Sequence, residues 1–198
     1  IKLDIVKVFS FTAMSTLVRM LTGLISVKVV ASIIGPAGVA LVGQLNNFSS
    51  IVLNLSTGGI YNGITKYVAE YKDNNKILKG YLSTAFKIIV CFSLLIGLLL
   101  IVFHSYLSRK ILLSSDFGEI FVIFGFTILF YALNIGINSV INGYKEFRKF
   151  VKVNIAGSII GLIFTLLLVF LWELKGALIS AVAFQSVMIF ITLWMIRK

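Results

Sequence analysis

Long apolar stretches, separated by short polar or glycine-containing segments, make up most of this chain. A helix needs roughly 20 apolar residues to cross the hydrocarbon core of a bilayer. Six stretches meet this requirement, and they predict an all-α, polytopic membrane protein with six transmembrane helices. The predicted spans are residues 5–34, 39–64, 81–103, 120–144, 153–172 and 177–196.

The segments between the spans are short, and their composition predicts how the chain turns. The sequence GPAG (Gly35–Gly38) predicts a turn after the first span, and ELKG (Glu173–Gly176) predicts a tight hairpin between the last two. Between the second and third spans, TKYVAEYKDNNK combines tyrosines and lysines in the manner of a short helix at the membrane surface.

Three of the spans carry polar residues at the spacing of one helical face. In the first span the intervals are 3 and 4 residues, as expected for a single stripe. So many amides and hydroxyls exceed what helix pairing requires, and they predict a water-filled cavity between spans one, two and four. The stripes are Thr12, Ser15, Arg19, Thr22 and Ser26; Asn46, Asn47, Ser50, Asn54, Thr57 and Gly58; and Thr127, Tyr131, Asn134, Asn138 and Asn142.

The fifth span has a weaker stripe of Asn154, Ser158, Gly161 and Thr165. Small and polar residues of this kind let neighbouring helices approach closely and hydrogen-bond. We therefore interpret this stripe as a packing surface.

Arg19 lies at membrane depth, where a cation costs roughly 2.5–3.5 kcal/mol on insertion scales. It needs an anionic partner, yet every carboxylate of the chain lies at a span end or in a loop. A planar guanidinium pairs well with phosphate, so Arg19 predicts a phosphate-bearing substrate. Lys28 lies about half a turn away around the helix at roughly 100° per residue. It contacts the same substrate or anchors the helix at the interface.

Composition excludes several other classes. The chain is 59% hydrophobic with a mean hydropathy of +1.05, so it lacks the polar surface of a soluble domain. One cysteine and one histidine provide neither a disulfide nor a Cys/His metal cluster. No nucleotide-binding or zinc-protease motif is found, so we expect no enzyme activity, cofactor or metal.

The net charge of +11 lies mostly in short loops, which favours anionic lipid head groups over nucleic acid as its partner. Of the 18 Lys and Arg residues, 13 fall on one side of the predicted topology and 3 on the other. This asymmetry predicts that both termini are cytoplasmic. The larger group is Lys2, Lys7, Lys66, Lys72, Lys76, Lys79, Lys87, Lys145, Arg148, Lys149, Lys152, Arg197 and Lys198.

Two segments, IGPAGVALVGQ and GGIYNGITKYVAEYKDN, together with the cationic first span, resemble bacterial Wzx-type translocases of O-antigen and enterobacterial common antigen. These belong to the multidrug/oligosaccharidyl-lipid/polysaccharide exporter superfamily. The resemblance implies that residues 1–198 form the amino-terminal six-helix lobe of a two-lobe exporter in the bacterial inner membrane. A second, carboxy-terminal lobe is then an expected partner.

The resemblance further implies a flippase that moves undecaprenyl-diphosphate-linked oligosaccharide from the cytoplasmic to the periplasmic leaflet. Its expected partners include the polysaccharide polymerase and chain-length machinery. The expected substrate-binding residues, in a cationic, amide-lined cavity, are Arg19, Lys28, Asn46, Asn47, Asn54, Asn134 and Asn138. A cation-coupled multidrug antiporter of the same superfamily is the alternative, although it would require a buried carboxylate that this chain lacks.

Overall fold

The computed structural model describes the backbone of residues 2–197, and the side chains of Ser10 and residues 12–197. Over this range the chain forms six helices and no strand, so the prediction of an all-helical fold is confirmed. The helices are α1 (Lys2–Ser56), α2 (Tyr61–Tyr71), α3 (Asn75–Val102), α4 (His104–Ile111), α5 (Gly118–Gly143) and α6 (Phe147–Ile196).

Four of the helices within the described range are long and apolar enough to cross a membrane: α1 from Thr12 onward, α3, α5 and α6. The chain is therefore a multi-pass membrane protein. The two short helices lie between these long ones in sequence. The short interfacial helix predicted within residues 65–76 overlaps α2 only in part, and α4 was not predicted.

The backbone of α1 is interrupted at Gly35, where φ is 71° and ψ is 176°. A positive φ of this kind is readily available only to glycine, and the ring of Pro36, the next residue, then fixes its own φ. Val30 on one side of the break packs with Val39 and Val42 on the other. The predicted GPAG turn is thus the point where α1 folds back on itself.

A second interruption lies in α6 at Glu173, where φ is 45° and ψ is −121°. A β-carbon placed on Gly161 would lie 2.7 Å from the Phe184 ring, and one on Gly157 would lie 2.6 Å from Met188 Cε. Gly157 lies four residues before Gly161, whereas its contact Met188 lies four residues after Phe184. The two halves of α6 therefore run antiparallel, side by side.

We call the segments on either side of these breaks arms. The first and second arms of α1 are residues 2–34 and 36–56, and those of α6 are residues 147–171 and 174–196. Each pair of arms forms a helical hairpin.

The end of α1 differs from the predicted span 39–64. The Gly59 amide donates to the Asn54 carbonyl at 3.1 Å and the Gly58 amide to the Leu55 carbonyl at 3.0 Å. Gly58 adopts the left-handed conformation at φ 59°, so these two bonds form a Schellman motif. The helix therefore stops before the glycines, and a separate helix, α2, follows.

The largest apolar core lies where α5 meets α3, the second arm of α1 and the second arm of α6. Phe121, Phe124 and Ile128 of α5 are fully buried in it. Phe48 of α1 meets the Phe121 ring edge-to-face at a centroid distance of 5.8 Å, a favourable geometry for two aromatic rings. This core holds the second arms of α1 and α6 against α5. It thereby sets the direction in which their polar faces point.

Candidate functional site

A cavity of about 510 Å³ lies between the hairpin of α1 and the hairpin of α6. Its volume falls within the range of about 300–1,000 Å³ typical of small-molecule sites. All four arms contribute to its walls. The polar residues that line it are Arg19, Thr22, Ser26, Asn46, Asn154, Ser158, Thr165, Ser180 and Gln185.

The α1 wall carries Arg19, Thr22 and Ser26 from the first arm and Asn46 from the second. The spacing of 3 and 4 residues puts the first three on one line along the helix. Thr22 donates its hydroxyl to the Val18 carbonyl at 2.9 Å and so is satisfied by its own helix. No side-chain hydrogen bond of Arg19 or Asn46 occurs among the described residues, and both remain available to a ligand.

Facing this wall, α6 presents Asn154, Ser158 and Thr165 from its first arm and Gln185 from its second. The side-chain Nδ2 of Asn154 donates to the Phe150 carbonyl at 2.9 Å, which leaves the side-chain oxygen free to accept. Over the part of the chain that the structure describes, neither Thr165 nor Gln185 has a side-chain hydrogen bond. This wall thus offers neutral donors and acceptors opposite a guanidinium.

Gly157 and Gly161 lie on the same face of α6 as these polar residues and also line the cavity. Their missing side chains make room for Met188 and Phe184. The centroid of the Phe184 ring lies 5.8 Å from that of Phe164. The first arm of α6 therefore uses one face both to pack against the second arm and to line the cavity.

Among the described residues, Arg19 is the only charged one that lines the cavity. The ion pairs found among the described side chains lie elsewhere: Lys149 with Glu146 at 2.9 Å, and Lys175 with Glu119 at 2.8 Å. Arg19 thus has no carboxylate partner in the described part of the chain. The cavity has an unpaired positive charge on one wall, in surroundings that are otherwise neutral.

Two of the seven predicted site residues, Arg19 and Asn46, line this cavity. Asn134 is instead buried among the helices, where it is only 3% exposed. The side chains of Lys28, Asn47 and Asn54 are exposed on α1. The five residues outside the cavity are Lys28, Asn47, Asn54, Asn134 and Asn138.

The composition of the cavity differs from the sequence expectation in one further respect. The stripe of the predicted fifth span, which we interpreted as a packing surface, forms much of the wall opposite Arg19. Asn154, Ser158, Gly161 and Thr165 at i, i+4, i+7 and i+11 gave a recognisable signal, but its small residues suggested packing alone. In the structure one stripe serves both purposes, because Gly161 packs against Phe184 while Thr165 faces the open space.

Comparison with known proteins gives a family match and two curated relatives. Residues 5–198 match the family described as "Polysaccharide biosynthesis protein". The "Lipid III flippase" of Escherichia coli (strain K12) is 32% identical over 115 residues, which are 58% of this chain and 28% of that protein. The "Lipid III flippase" of Shigella flexneri matches with the same identity and coverage. No solved structure matches significantly.

Proposed function

We propose that this chain, which belongs to the polysaccharide biosynthesis protein family, is one lobe of a flippase for a lipid-linked oligosaccharide. The substrate we propose is a surface-glycan repeat unit, such as an O-antigen unit, carried on undecaprenyl diphosphate. It moves from the cytoplasmic to the periplasmic leaflet of the inner membrane. The observation that carries the proposal is Arg19, an unpaired cation on the wall of a polar cavity in the described part of the chain.

The proposed lobe has six membrane passes. The helix α1 has 55 residues. At about 1.5 Å per residue it would be about 80 Å long if unbroken, more than twice the hydrocarbon thickness of roughly 30 Å. Each hairpin accounts for two passes, and α3 and α5 for one each. An even number of passes puts both termini on one side, and the excess of lysine and arginine there favours the cytoplasm.

In this proposal Arg19 binds the diphosphate. A guanidinium presents a planar fork of donors that pairs with two phosphate oxygens at once, and it stays charged at all physiological pH values. Carboxylates, which would compete for it, are missing from the cavity lining over the described residues. Lys28 lies outside the cavity, so its role is either a further contact with the diphosphate or an anchor at the interface.

The wall opposite Arg19 suits a sugar. Sugar hydroxyls both donate and accept hydrogen bonds, as do the amides of Asn154 and Gln185 and the hydroxyl of Thr165. A diphosphate and its first sugars are joined in one molecule, just as the cation and the neutral polar groups line one cavity. This match favours a phosphate-linked glycan over a cationic drug.

A second lobe completes the proposed transporter. The first arm of α1 leaves Leu17, Met20 and Leu24 between 60% and 69% exposed. The aligned region covers only 28% of the curated relatives, so their activity extends to this chain only as a proposal. We propose that a carboxy-terminal lobe packs beside α1 and closes the transport path, in a membrane shared with the polymerase and chain-length machinery.

The energetics agree with outward movement. Moving one elementary charge across the membrane is worth about 2.3 kcal/mol per 100 mV. With the cytoplasm negative, the field drives a diphosphate outward.

Complementation tests this function. The full-length protein, expressed in a strain lacking its own flippase but making the matching glycan, should restore surface polysaccharide. Without it the lipid-linked glycan should accumulate at the cytoplasmic leaflet. Drug resistance conferred on a pump-deficient strain, without any restored glycan, would instead support the multidrug antiporter.

A further inference from the structure

A second groove, of about 330 Å³, lies among α3, α5 and both ends of α6. Over the described residues it shares no lining residue with the cavity that holds Arg19. Its walls are apolar and include Phe86 of α3, Val140 of α5 and Leu193 of α6. Tyr144, Glu146 and Lys149, at the junction of α5 and α6, form its polar rim.

Three exposed cations lie next to residues of the groove in the sequence. Lys145, Arg148 and Arg197 each adjoin a lining residue in sequence, and all three are exposed. None of them takes part in an ion pair among the described residues. Among the described residues, Glu146 is the one carboxylate at the rim. It already forms an ion pair with Lys149 at 2.9 Å. The rim therefore has a net positive charge above an apolar groove.

The turn that carries these cations has a defined conformation. The Glu146 amide donates to the Ile141 carbonyl at 3.3 Å and the Lys145 amide to the Asn142 carbonyl at 3.0 Å. Lys145 adopts the left-handed conformation at φ 58°, so this is a Schellman motif. This turn holds Lys145 between Tyr144 and Glu146, which both line the groove.

We infer that this groove binds an anionic phospholipid, with one acyl chain along Phe86, Val140 and Leu193 and the phosphate at the cationic rim. A soluble anion would make no use of the apolar walls, and a zwitterionic lipid would gain less from the rim. Lysine and arginine favour anionic head groups by about 1 kcal/mol each near a membrane surface, or about fivefold in affinity. The site stands apart from Arg19 and does not depend on the proposed transport function.

Native mass spectrometry of the purified full-length protein tests this inference, with phosphatidylglycerol and phosphatidylcholine of identical chains as probes. We expect phosphatidylglycerol adducts to persist at collision energies that remove phosphatidylcholine. The variant carrying Lys145→Gln, Arg148→Gln and Arg197→Gln should lose affinity by about fivefold per cation. Leu193→Trp, at a side chain that is 49% exposed, should fill the groove and reduce binding of both lipids.

Matched controls separate the groove from general lipid contact. Arg109→Gln with Lys110→Gln removes exposed cations of α4, and Leu98→Trp enlarges a 59% exposed side chain of α3; both should leave retention unchanged. Arg19→Ala should also leave it unchanged, whatever it does to transport. Equal retention of the two lipids, or an unaffected charge variant, would overturn the inference. So would preferential retention of an added polyprenyl phosphate.

Discussion

Gly97 of α3 and Gly125 of α5 meet backbone to backbone where the two helices cross. A β-carbon on Gly97 would lie 2.6 Å from the Gly125 carbonyl oxygen, and one on Gly125 would lie 2.7 Å from the Gly97 carbonyl oxygen. The contact is thus reciprocal, and neither of these two glycines has room for a methyl group. Small residues permit this close approach of membrane helices, where van der Waals packing replaces the hydrophobic effect as the source of stability.

Gly97→Ala should therefore destabilise the fold by about 1–3 kcal/mol, the usual effect of overpacking. Thermal unfolding of the full-length protein in detergent, followed by circular dichroism, measures the change. Gly80→Ala is the matched control, since it lies in the same helix and a β-carbon there meets nothing within 4 Å. If both variants melt alike, the close crossing of α3 and α5 is not important for stability.

Thiol labelling distinguishes the observed cavity from the cavity that the sequence predicted. Asn154→Cys and Gln185→Cys should react with a water-soluble maleimide, because both positions line the cavity. Asn134→Cys should stay protected, because Asn134 is only 3% exposed. The exposed Cys91 has to be replaced by serine first. Labelling at Asn134 with protection at the other two would instead favour the cavity that the sequence predicts between spans one, two and four.

Two exposed loop positions test the proposed orientation of the chain in the membrane. Asn74, between α2 and α3, should be labelled only from the cytoplasm when changed to cysteine, and Ser115, between α4 and α5, only from the periplasm. The expectation follows from the excess of basic residues on the Asn74 side. An impermeant maleimide applied to whole cells and to inverted vesicles gives the readout. Labelling of Asn74 in whole cells would reverse the proposed topology.

Helix type and the main turn were predictable because they depend on local properties. Apolar stretches of spanning length leave no alternative to a helix in lipid, and GPAG contains the glycine that the break at Gly35 needs. The end of α1 was harder, since polar periodicity continues through Gly58 while a Schellman motif has already stopped the helix. The helix α4, with 8 residues, is too short to show a pattern.

The site was only partly predictable because it depends on which faces meet. Spacing put Arg19 on a polar stripe, and it lies on the cavity wall. Spacing did not show that Asn138 of the α5 stripe is satisfied within its own helix, where its Nδ2 donates to the Asn134 carbonyl at 2.9 Å. Nor did it show that the stripe at Asn154 would face Arg19, since that pairing arises only when the two hairpins pack.

The two cations of the first α1 arm provide the sharpest test of the proposed phosphate site. Arg19 lines the cavity and Lys28, nine residues on, does not. Loss of one partner of a hydrogen-bonded charge pair costs about 2–5 kcal/mol, so Arg19→Ala should reduce glycan export more than about tenfold. Lys28→Ala removes the same charge from the same arm outside the cavity, and we expect a much smaller loss.

Two further substitutions at Arg19 separate charge from geometry. Arg19→Lys should retain part of the export, because the charge survives while the forked pairing with phosphate is lost. Arg19→Glu should abolish export, because a carboxylate repels the diphosphate. Surface polysaccharide in the flippase-deficient strain is the readout, normalised to the amount of transporter in the membrane. Arg19 has no carboxylate partner among the described residues, so an export defect at normal abundance reflects the substrate and not a broken ion pair. If Arg19→Ala exports glycan normally at a normal amount of transporter, Arg19 does not bind the diphosphate during transport.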